Sequence, residues 1–154
     1  MDELLLDTTY LLPVFGLSVD LRQFESRFPQ LLHAYSVIYN PVSLVEAKWI
    51  TLKLIRRHAP NRDSLLQAYR KGLAVLTTDG RLKQTAMTNA RIEETADRLL
   101  LKGGLKDYFD RVIYATATDR NCLLLTEDEE IHQLAPPGGS SKLKGIVRWD
   151  EIQT

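Results

Sequence analysis

Short, uniformly apolar segments alternate with longer amphipathic segments along this chain of 154 residues. Strands that are apolar at every position must be covered on both faces, which favours a mostly parallel sheet between layers of helices. The predicted strands are residues 4–7, 34–41, 73–78, 122–126 and 145–149. The sequence therefore predicts an α/β fold with three layers, α/β/α, around a mostly parallel central sheet.

The predicted helices connect these strands and have recognisable ends. They are residues 19–32, 43–58, 62–71, 88–104 and 107–120. Ser18 fits an N-cap of the first helix, and Asn40-Pro41 ends the second strand. Residues 136–141, PPGGSS, read as a loop. Because the segment after that loop is too short to fold alone, we expect residues 1–154 to form a single domain.

Composition limits the classes of function. The chain has 20 basic and 20 acidic residues, so net charge does not indicate a nucleic-acid or membrane partner. Cys122 is the single cysteine and lies in the apolar run CLLLT, which indicates a small core residue in a reducing compartment. There is neither an apolar run of membrane-spanning length nor a basic leader followed by one. We therefore expect a cytoplasmic protein with no membrane span.

Four carboxylates map to one edge of the predicted sheet. Asp7 ends the first strand in LLLDTTYLL, and Asp128 follows the strand CLLLT. Glu46 and Asp110 lie in the first turns of two helices. In a parallel sheet, the carboxyl ends of strands and the starts of the following helices lie along the same edge. Four neighbouring carboxylates repel one another, and Mg²⁺ or Mn²⁺ prefers such oxygen ligands, so the pattern predicts a metal site.

Each carboxylate taken alone also has an explanation without a metal. Asp7 is a common type of turn residue. Ser43-x-x-Glu46 fits a capping box, in which the carboxylate reaches back to the Ser43 amide. Asp128 lies in the acidic run TEDEEI at a predicted helix start, where the helix dipole favours negative charge. These alternatives stay open for single residues, and the metal site depends on the four acids converging.

Asp107 and Asp110 begin the same predicted helix but differ in their neighbours. Asp107 has Arg111 four residues later, at the spacing of a helical ion pair. Asp110 shares a stripe with Ile113 and Ala117, the apolar side that should face the sheet. A carboxylate on that side needs a partner, so Asp110 is the better candidate for the site.

The segments LLLDTTYLL, SLVEAKW, YFDRVIYATA and LLLTED resemble, in order and rough spacing, the motifs of PIN-domain ribonucleases, especially the VapC-like toxins. The resemblance runs from Leu4 to about Trp149 and implies metal-dependent hydrolysis of RNA by the toxin of a toxin–antitoxin pair. The matching catalytic and Mg²⁺- or Mn²⁺-binding acids are Asp7, Glu46, Asp110 and Asp128. Thr9 and Thr126 match hydroxyl positions that would orient a carboxylate or water.

The helix that carries Glu46 is apolar around most of its circumference, through residues such as Val45, Trp49 and Ile50. One face would satisfy the sheet, so we expect a second buried contact. A homodimer partner or an antitoxin segment would provide it. The competing functions are a non-catalytic RNA-binding or scaffold module of the same fold and a housekeeping nuclease without an antitoxin. A complete set of four acids argues against the non-catalytic module, because negative charge does not favour phosphate binding.

Overall fold

A computed structural model of the chain describes residues 1–57, 59–134 and 143–153. Five strands lie within these ranges: β1 (Glu3–Leu6), β2 (Ser36–Tyr39), β3 (Leu82–Gln84), β4 (Leu123–Leu125) and β5 (Gly145–Val147). The α-helices there are α1 (Phe24–Ala34), α2 (Val42–Arg57), α3 (Arg62–Thr78), α4 (Ala90–Leu101), α5 (Tyr108–Arg120) and α6 (Glu129–His132). Short 3-10 helices occur at Thr8–Tyr10, Leu12–Phe15 and Ala59–Asn61.

The five strands form one sheet in the order β3-β2-β1-β4-β5, and every neighbouring pair is parallel. Leu5 of β1 lies opposite Ile38 of β2 on one side and Leu124 of β4 on the other. β2 and β3 lie on one side of β1, and β4 and β5, which come later in the chain, lie on its other side. A switch point therefore lies between the carboxyl ends of β1 and β4, where doubly wound sheets bind ligands.

Hydrophobic cores cover both faces of the sheet, which confirms the predicted α/β/α architecture. Successive side chains of a strand point to opposite faces. Leu4 and Leu6 pack in the core that contains Leu31 of α1, whereas Leu5 packs in the core that contains Ile113 of α5. All three leucines of β1 are fully buried. The uniformly apolar strand thus follows from a sheet with helices on each side.

The predicted strand at 73–78 is wrong, because the helix predicted at 62–71 continues without interruption, as α3, from Arg62 to Thr78. Gly72 lies inside this helix, where it packs against the 3-10 helix Leu12–Phe15. A Cβ at Gly72 would lie 2.3 Å from the Val14 carbonyl oxygen. The edge strand is instead β3, whose short sequence LKQ has one buried residue and no strong strand pattern.

The remaining elements agree with the predictions apart from their ends. The first helix begins at Phe24 rather than at residue 19, after Gln23 with a φ of 54°, so Ser18 does not cap it. Cys122 is buried as expected, and burial raises the pKa of its thiol to about 11. Residue 58 and the predicted loop 136–141 lie outside the described residues. Within the described ranges, none of the helices has the length and apolar character needed to cross a bilayer.

A candidate metal site at the sheet edge

The four acids selected from the sequence line one pocket at the carboxyl edge of the sheet, beside the ends of β1 and β4. The pocket has a volume of about 350 Å³. Its walls are formed by Asp7, Thr8, Thr9, Leu12, Glu46, Ile50, Asp110, Glu127 and Asp128. The structure thus brings together side chains from four separate parts of the chain.

Asp7 follows β1 directly and is only 6% exposed. Its backbone amide donates to the Leu125 carbonyl at 3.0 Å, which extends the pairing of β1 and β4 to this residue. One carboxylate oxygen accepts from the Thr8 amide and the other from the Thr126 hydroxyl, each at 2.6 Å. Burial raises the pKa of Asp7 above its usual value, although both hydrogen bonds act to lower it.

Glu46 reaches the end of β1 instead of folding back along α2. Its carboxylate accepts a short hydrogen bond from the Thr8 hydroxyl, which also lies 2.9 Å from the Ser43 hydroxyl. The alternative of a capping box is wrong, because the Ser43 amide donates to the Asn40 carbonyl. Burial raises the pKa of Glu46, and the hydrogen bond from Thr8 opposes this shift.

Asp110 lies in the first turn of α5, which Asp107 caps by accepting from the amides of Phe109 and Asp110 at 2.8 and 3.3 Å. The described residues donate no hydrogen bond to the Asp110 carboxylate itself. Burial and then the neighbouring negative charges raise its pKa to about 8. Those charges belong to Asp7, Asp107, Asp128 and Glu46. Asp110 is therefore the acid of the pocket whose ionised form is least satisfied.

The predicted ion pair between Asp107 and Arg111 is absent from the described residues. Arg111 is buried and donates to the carbonyl oxygens of Leu105 and Lys106 at 3.2 and 2.7 Å. Its guanidinium carbon also lies 5.4 Å from the centre of the Tyr108 ring. The spacing was suitable for an ion pair, but the Asp107 carboxylate accepts hydrogen bonds from the helix amides instead.

Asp128 is both an N-cap and a wall of the pocket. Its side chain accepts from the Ile131 amide at 2.8 Å and caps α6. Its own amide donates to the Thr126 hydroxyl at 3.1 Å, and that hydroxyl in turn donates to Asp7. The fully buried Thr126 thus connects the first and last acids of the pocket, consistent with the orienting role expected for it.

Sequence reasoning missed the hydroxyl that contacts Glu46. Thr9, which matched the family position, lines the pocket, but in the described structure its hydroxyl makes no hydrogen bond. Thr8 contacts Glu46 instead. The two adjacent threonines after Asp7 were the sequence signal for a hydroxyl beside the acids. Which one reaches the glutamate depends on the 3-10 helix that begins at Thr8.

Glu127 is a fifth acid in the pocket wall, and its contacts account for its charge. Its carboxylate accepts from the Tyr10 hydroxyl at 2.6 Å and from the Trp149 amide at 2.7 Å. The Arg148 guanidinium lies 4.0 Å from its second oxygen. These contacts tie the end of β4 to the segment after β5, so Glu127 has a structural role.

The other four acids lack such compensation. In the described ranges, no lysine or arginine forms an ion pair with Asp7, Glu46, Asp110 or Asp128. The described residues also contain no group of three or more acidic, histidine or cysteine side chains close enough to hold a metal ion as they stand. Oxygen donors with uncompensated negative charge nevertheless match the ligands that Mg²⁺ and Mn²⁺ prefer. The chemistry of the donor set therefore fits a divalent ion.

A doubly wound parallel sheet with an acidic pocket at its switch point defines this chain as an α/β protein with a candidate cation site. The family model of the PIN domain matches residues 4–136. The chain therefore belongs to the PIN domain family, whose members are generally nucleases that use divalent metal ions.

Solved structures with the same fold share little sequence with this chain. VapBC2 from Rickettsia felis, bound to a DNA fragment from the promoter, matches at 16% identity with a TM-score of 0.63, over 96% of this chain and 99% of that one. DNA-bound VapBC from Salmonella typhimurium matches at 19% identity with a TM-score of 0.59, over 97% and 99%. FitAB bound to an IR36 DNA fragment matches at 15% identity with a TM-score of 0.53, over 98% of each chain. No curated protein matches the sequence.

Proposed function

We propose that this protein is a Mg²⁺- or Mn²⁺-dependent ribonuclease, the toxin of a toxin–antitoxin pair, which hydrolyses RNA phosphodiester bonds in the cytoplasm. The observation that carries the proposal is the convergence of Asp7, Glu46, Asp110 and Asp128 on one pocket. A cluster of negative charge repels a phosphate unless a cation lies between them. The arrangement therefore suits phosphate chemistry only with a bound divalent ion.

In this proposal Asp7 and Asp110 are the central ligands, and Glu46 and Asp128 complete the site directly or through water. A divalent ion bound there would lower the pKa of a coordinated water and would stabilise negative charge on the phosphate oxygens. The Thr126 hydroxyl orients the Asp7 carboxylate through the hydrogen bond between them.

The protonation of Asp110 sets the conditions under which this pocket takes a cation. With a pKa raised to about 8, the Asp110 carboxyl holds a proton at neutral pH when no cation is present. Metal binding must displace that proton, because a ligand oxygen must be ionised to hold the ion well. We therefore expect apparent metal affinity to rise with pH up to the range where Asp110 ionises.

The test is cleavage of single-stranded RNA by the purified protein with Mg²⁺ or Mn²⁺, compared with the same reaction in EDTA. Asp7→Asn preserves the shape of the side chain and removes its charge. We expect this variant to keep its fold and to lose on the order of 100-fold or more in cleavage rate, beyond what loss of a supporting group costs.

Asp107→Asn is the matched control, because it makes the same chemical change at an exposed helix cap near the pocket. We expect it to cost about 0.5–2 kcal/mol of stability at most and to leave cleavage largely intact. Equal cleavage by Asp7→Asn and Asp107→Asn would show that the acids are caps and turn residues. Cleavage of a matching single-stranded DNA alone, without the RNA, would contradict the proposed substrate.

The exposed apolar part of α2 is the surface where we propose that a protein partner binds. Much of the apolar circumference of α2 is covered by α3, α5 and the 3-10 helix Thr8–Tyr10. Val45 and Trp49, one helical turn apart, remain 55% and 51% exposed. We propose that a second copy of the chain covers this pair. An antitoxin is the further partner proposed from the resemblance to VapBC and FitAB.

Analytical ultracentrifugation tests the homodimer. Val45→Glu places a charge in the proposed interface and should convert a dimer at micromolar concentration into a monomer of unchanged fold. Val75→Glu is the control, since Val75 is a similarly exposed valine on α3, 58% exposed. A monomeric wild-type protein, or dissociation caused by Val75→Glu instead, would contradict the proposed interface.

A further inference from the structure

A fully buried asparagine connects two of the elements that carry the acidic pocket. Asn40 follows β2, and its side-chain oxygen accepts from the amide of Val42, the first residue of α2, at 2.8 Å. Its side-chain nitrogen donates to the Thr116 hydroxyl of α5 at 2.8 Å. The same nitrogen donates to the carbonyl oxygens of Ala86 and Met87, at 3.3 and 2.9 Å. One amide thus joins the start of α2, the middle of α5 and the segment after β3.

The donors and acceptors around Asn40 fit one orientation of the amide. The Thr116 hydroxyl donates to the Val112 carbonyl at 2.7 Å, so it meets Asn40 as an acceptor. The Val42 amide is a donor and must face the side-chain oxygen. An ionised aspartate only accepts hydrogen bonds, and serine is too short to reach both sides. The environment therefore requires a carboxamide at this position.

The elements joined by Asn40 are those that present Glu46 and Asp110. Glu46 lies one turn after the start of α2, and Asp110 lies in the first turn of α5 on the same helix as Thr116. Neither of these two acids bonds to the other in the described structure. Their separation therefore depends on how α2 and α5 are held together, and Asn40 provides a buried hydrogen bond between the end of β2 and α5.

We infer that Asn40 and Thr116 form a positioning link that sets the separation of Glu46 and Asp110, and through it the affinity of the pocket for a divalent ion. The inference rests on the proposed metal site. Mg²⁺ demands nearly ideal geometry from its ligands, so a small displacement of one carboxylate weakens binding. A satisfied buried polar network is suited to this purpose because it favours one arrangement of the helices.

Thr116→Val tests the link, because valine has the shape of threonine and lacks the acceptor. Asn40 keeps the carbonyl oxygens of Ala86 and Met87 as partners, so its amide is not left unpaired. The matched control is Thr118→Val, on the same helix. The Thr118 hydroxyl also bonds back to its own helix, at the Tyr114 carbonyl, but it does not contact Asn40.

The measurements are the Mn²⁺ dissociation constant by calorimetry, well below the melting temperature of each variant, and kcat and KM for RNA. We expect Thr116→Val to weaken Mn²⁺ binding roughly tenfold and to lower kcat with little change in KM. Thr118→Val should match the wild type. Thr116→Ser, which retains the hydroxyl, should bind Mn²⁺ as the wild type does. If the valine variant fails to fold, the comparison of Thr116→Ser with Thr116→Ala replaces it as the test of the link.

The outcomes separate this inference from the proposed function. A lower melting temperature for Thr116→Val with unchanged Mn²⁺ affinity would mean that the link is structural, and the inference would be wrong while the metal site stands. Wild-type protein that neither binds Mn²⁺ nor cleaves RNA would overturn the proposed function and the inference together.

Discussion

At the scale of single residues, the acids of the pocket differ in how their negative charges are stabilised. Asp7 accepts hydrogen bonds from Thr8 and Thr126, and Asp128 accepts one from an amide of α6. Asp110 accepts none within the described residues, and its pKa is raised to about 8. Asp110 is therefore the acid of the pocket whose negative charge has the least support from hydrogen bonds.

The metal-free protein should become more stable as pH falls from about 8 to about 5. The pKa values of Asp7, Glu46 and Asp110 are raised in the folded state, so the folded protein binds more protons than the unfolded chain across this range. The free energy of unfolding therefore decreases as pH rises towards 8. Asp79, whose pKa Arg81 lowers to about 2, acts in the opposite direction only at more acidic pH.

Thermal melts in EDTA at a series of pH values measure this effect. We expect the melting temperature of the wild type to rise by on the order of 5 °C between pH 8 and about pH 5. Asp110→Asn should raise the melting temperature at pH 8 and flatten the profile, because it removes an acid whose pKa is raised to about 8 and whose carboxylate accepts no hydrogen bond within the described residues. A wild-type profile that is flat or slopes the other way would show that these carboxylates are not destabilising.

Substitutions at Thr8 and Thr9 test which hydroxyl supports the site. Thr8 contacts Glu46, whereas Thr9 occupies the position that matches the family motif. Thr8→Val removes the hydrogen bond to Glu46 and leaves that half-buried carboxylate without a donor. We expect Mn²⁺ affinity to fall about tenfold in Thr8→Val. Thr9→Val should have little effect by the observed contacts. A larger loss in Thr9→Val would instead support the orienting role that the family resemblance implies for Thr9.

At the scale of elements, α3 packs closely against the 3-10 helix Leu12–Phe15 at Gly72. Gly72 permits this approach, since any Cβ there would overlap the Val14 carbonyl oxygen. Alanine is favoured over glycine in a helix by about 1 kcal/mol. The overlap involves backbone atoms that cannot rotate away, so we expect its cost to exceed that gain.

Gly72→Ala should therefore lower the free energy of unfolding by roughly 1–3 kcal/mol, measured by urea denaturation. Gly80→Ala is the control, because a Cβ at Gly80 has no described neighbour within 4 Å. Its effect should be small. A stabilised Gly72→Ala variant would show that the 3-10 helix moves aside and that the glycine is not needed for packing.

At the scale of the whole molecule, the two hydrophobic cores share one sheet. β1 contributes Leu4 and Leu6 to one core and Leu5 to the other, so disruption of this strand affects both. We expect the chain to unfold as one domain, in a single calorimetric transition whose calorimetric and van't Hoff enthalpies agree. Two resolved transitions, or a van't Hoff enthalpy well below the calorimetric one, would contradict a single domain.

The sequence by itself determined the architecture and four of the acids that line the pocket. Uniformly apolar strands require cover on both faces, and parallel strands place their carboxyl ends at one edge. These two rules, with the family motifs, indicate Asp7, Glu46, Asp110 and Asp128. Both rules can be applied to a sequence alone, because they depend on a local apolar pattern and on a geometry that all parallel sheets share.

Only the tertiary structure determined which side chains form hydrogen bonds with one another around the pocket. It placed Thr8 rather than Thr9 against Glu46, and it joined Asn40 to Thr116 across 76 positions of sequence. It also made residues 73–78 helical, as part of a helix that packs at Gly72 against the remote 3-10 helix Leu12–Phe15. Sequence periodicity indicates which face a residue occupies. The atom that it meets there depends on distances between elements remote in sequence, which only the folded packing establishes.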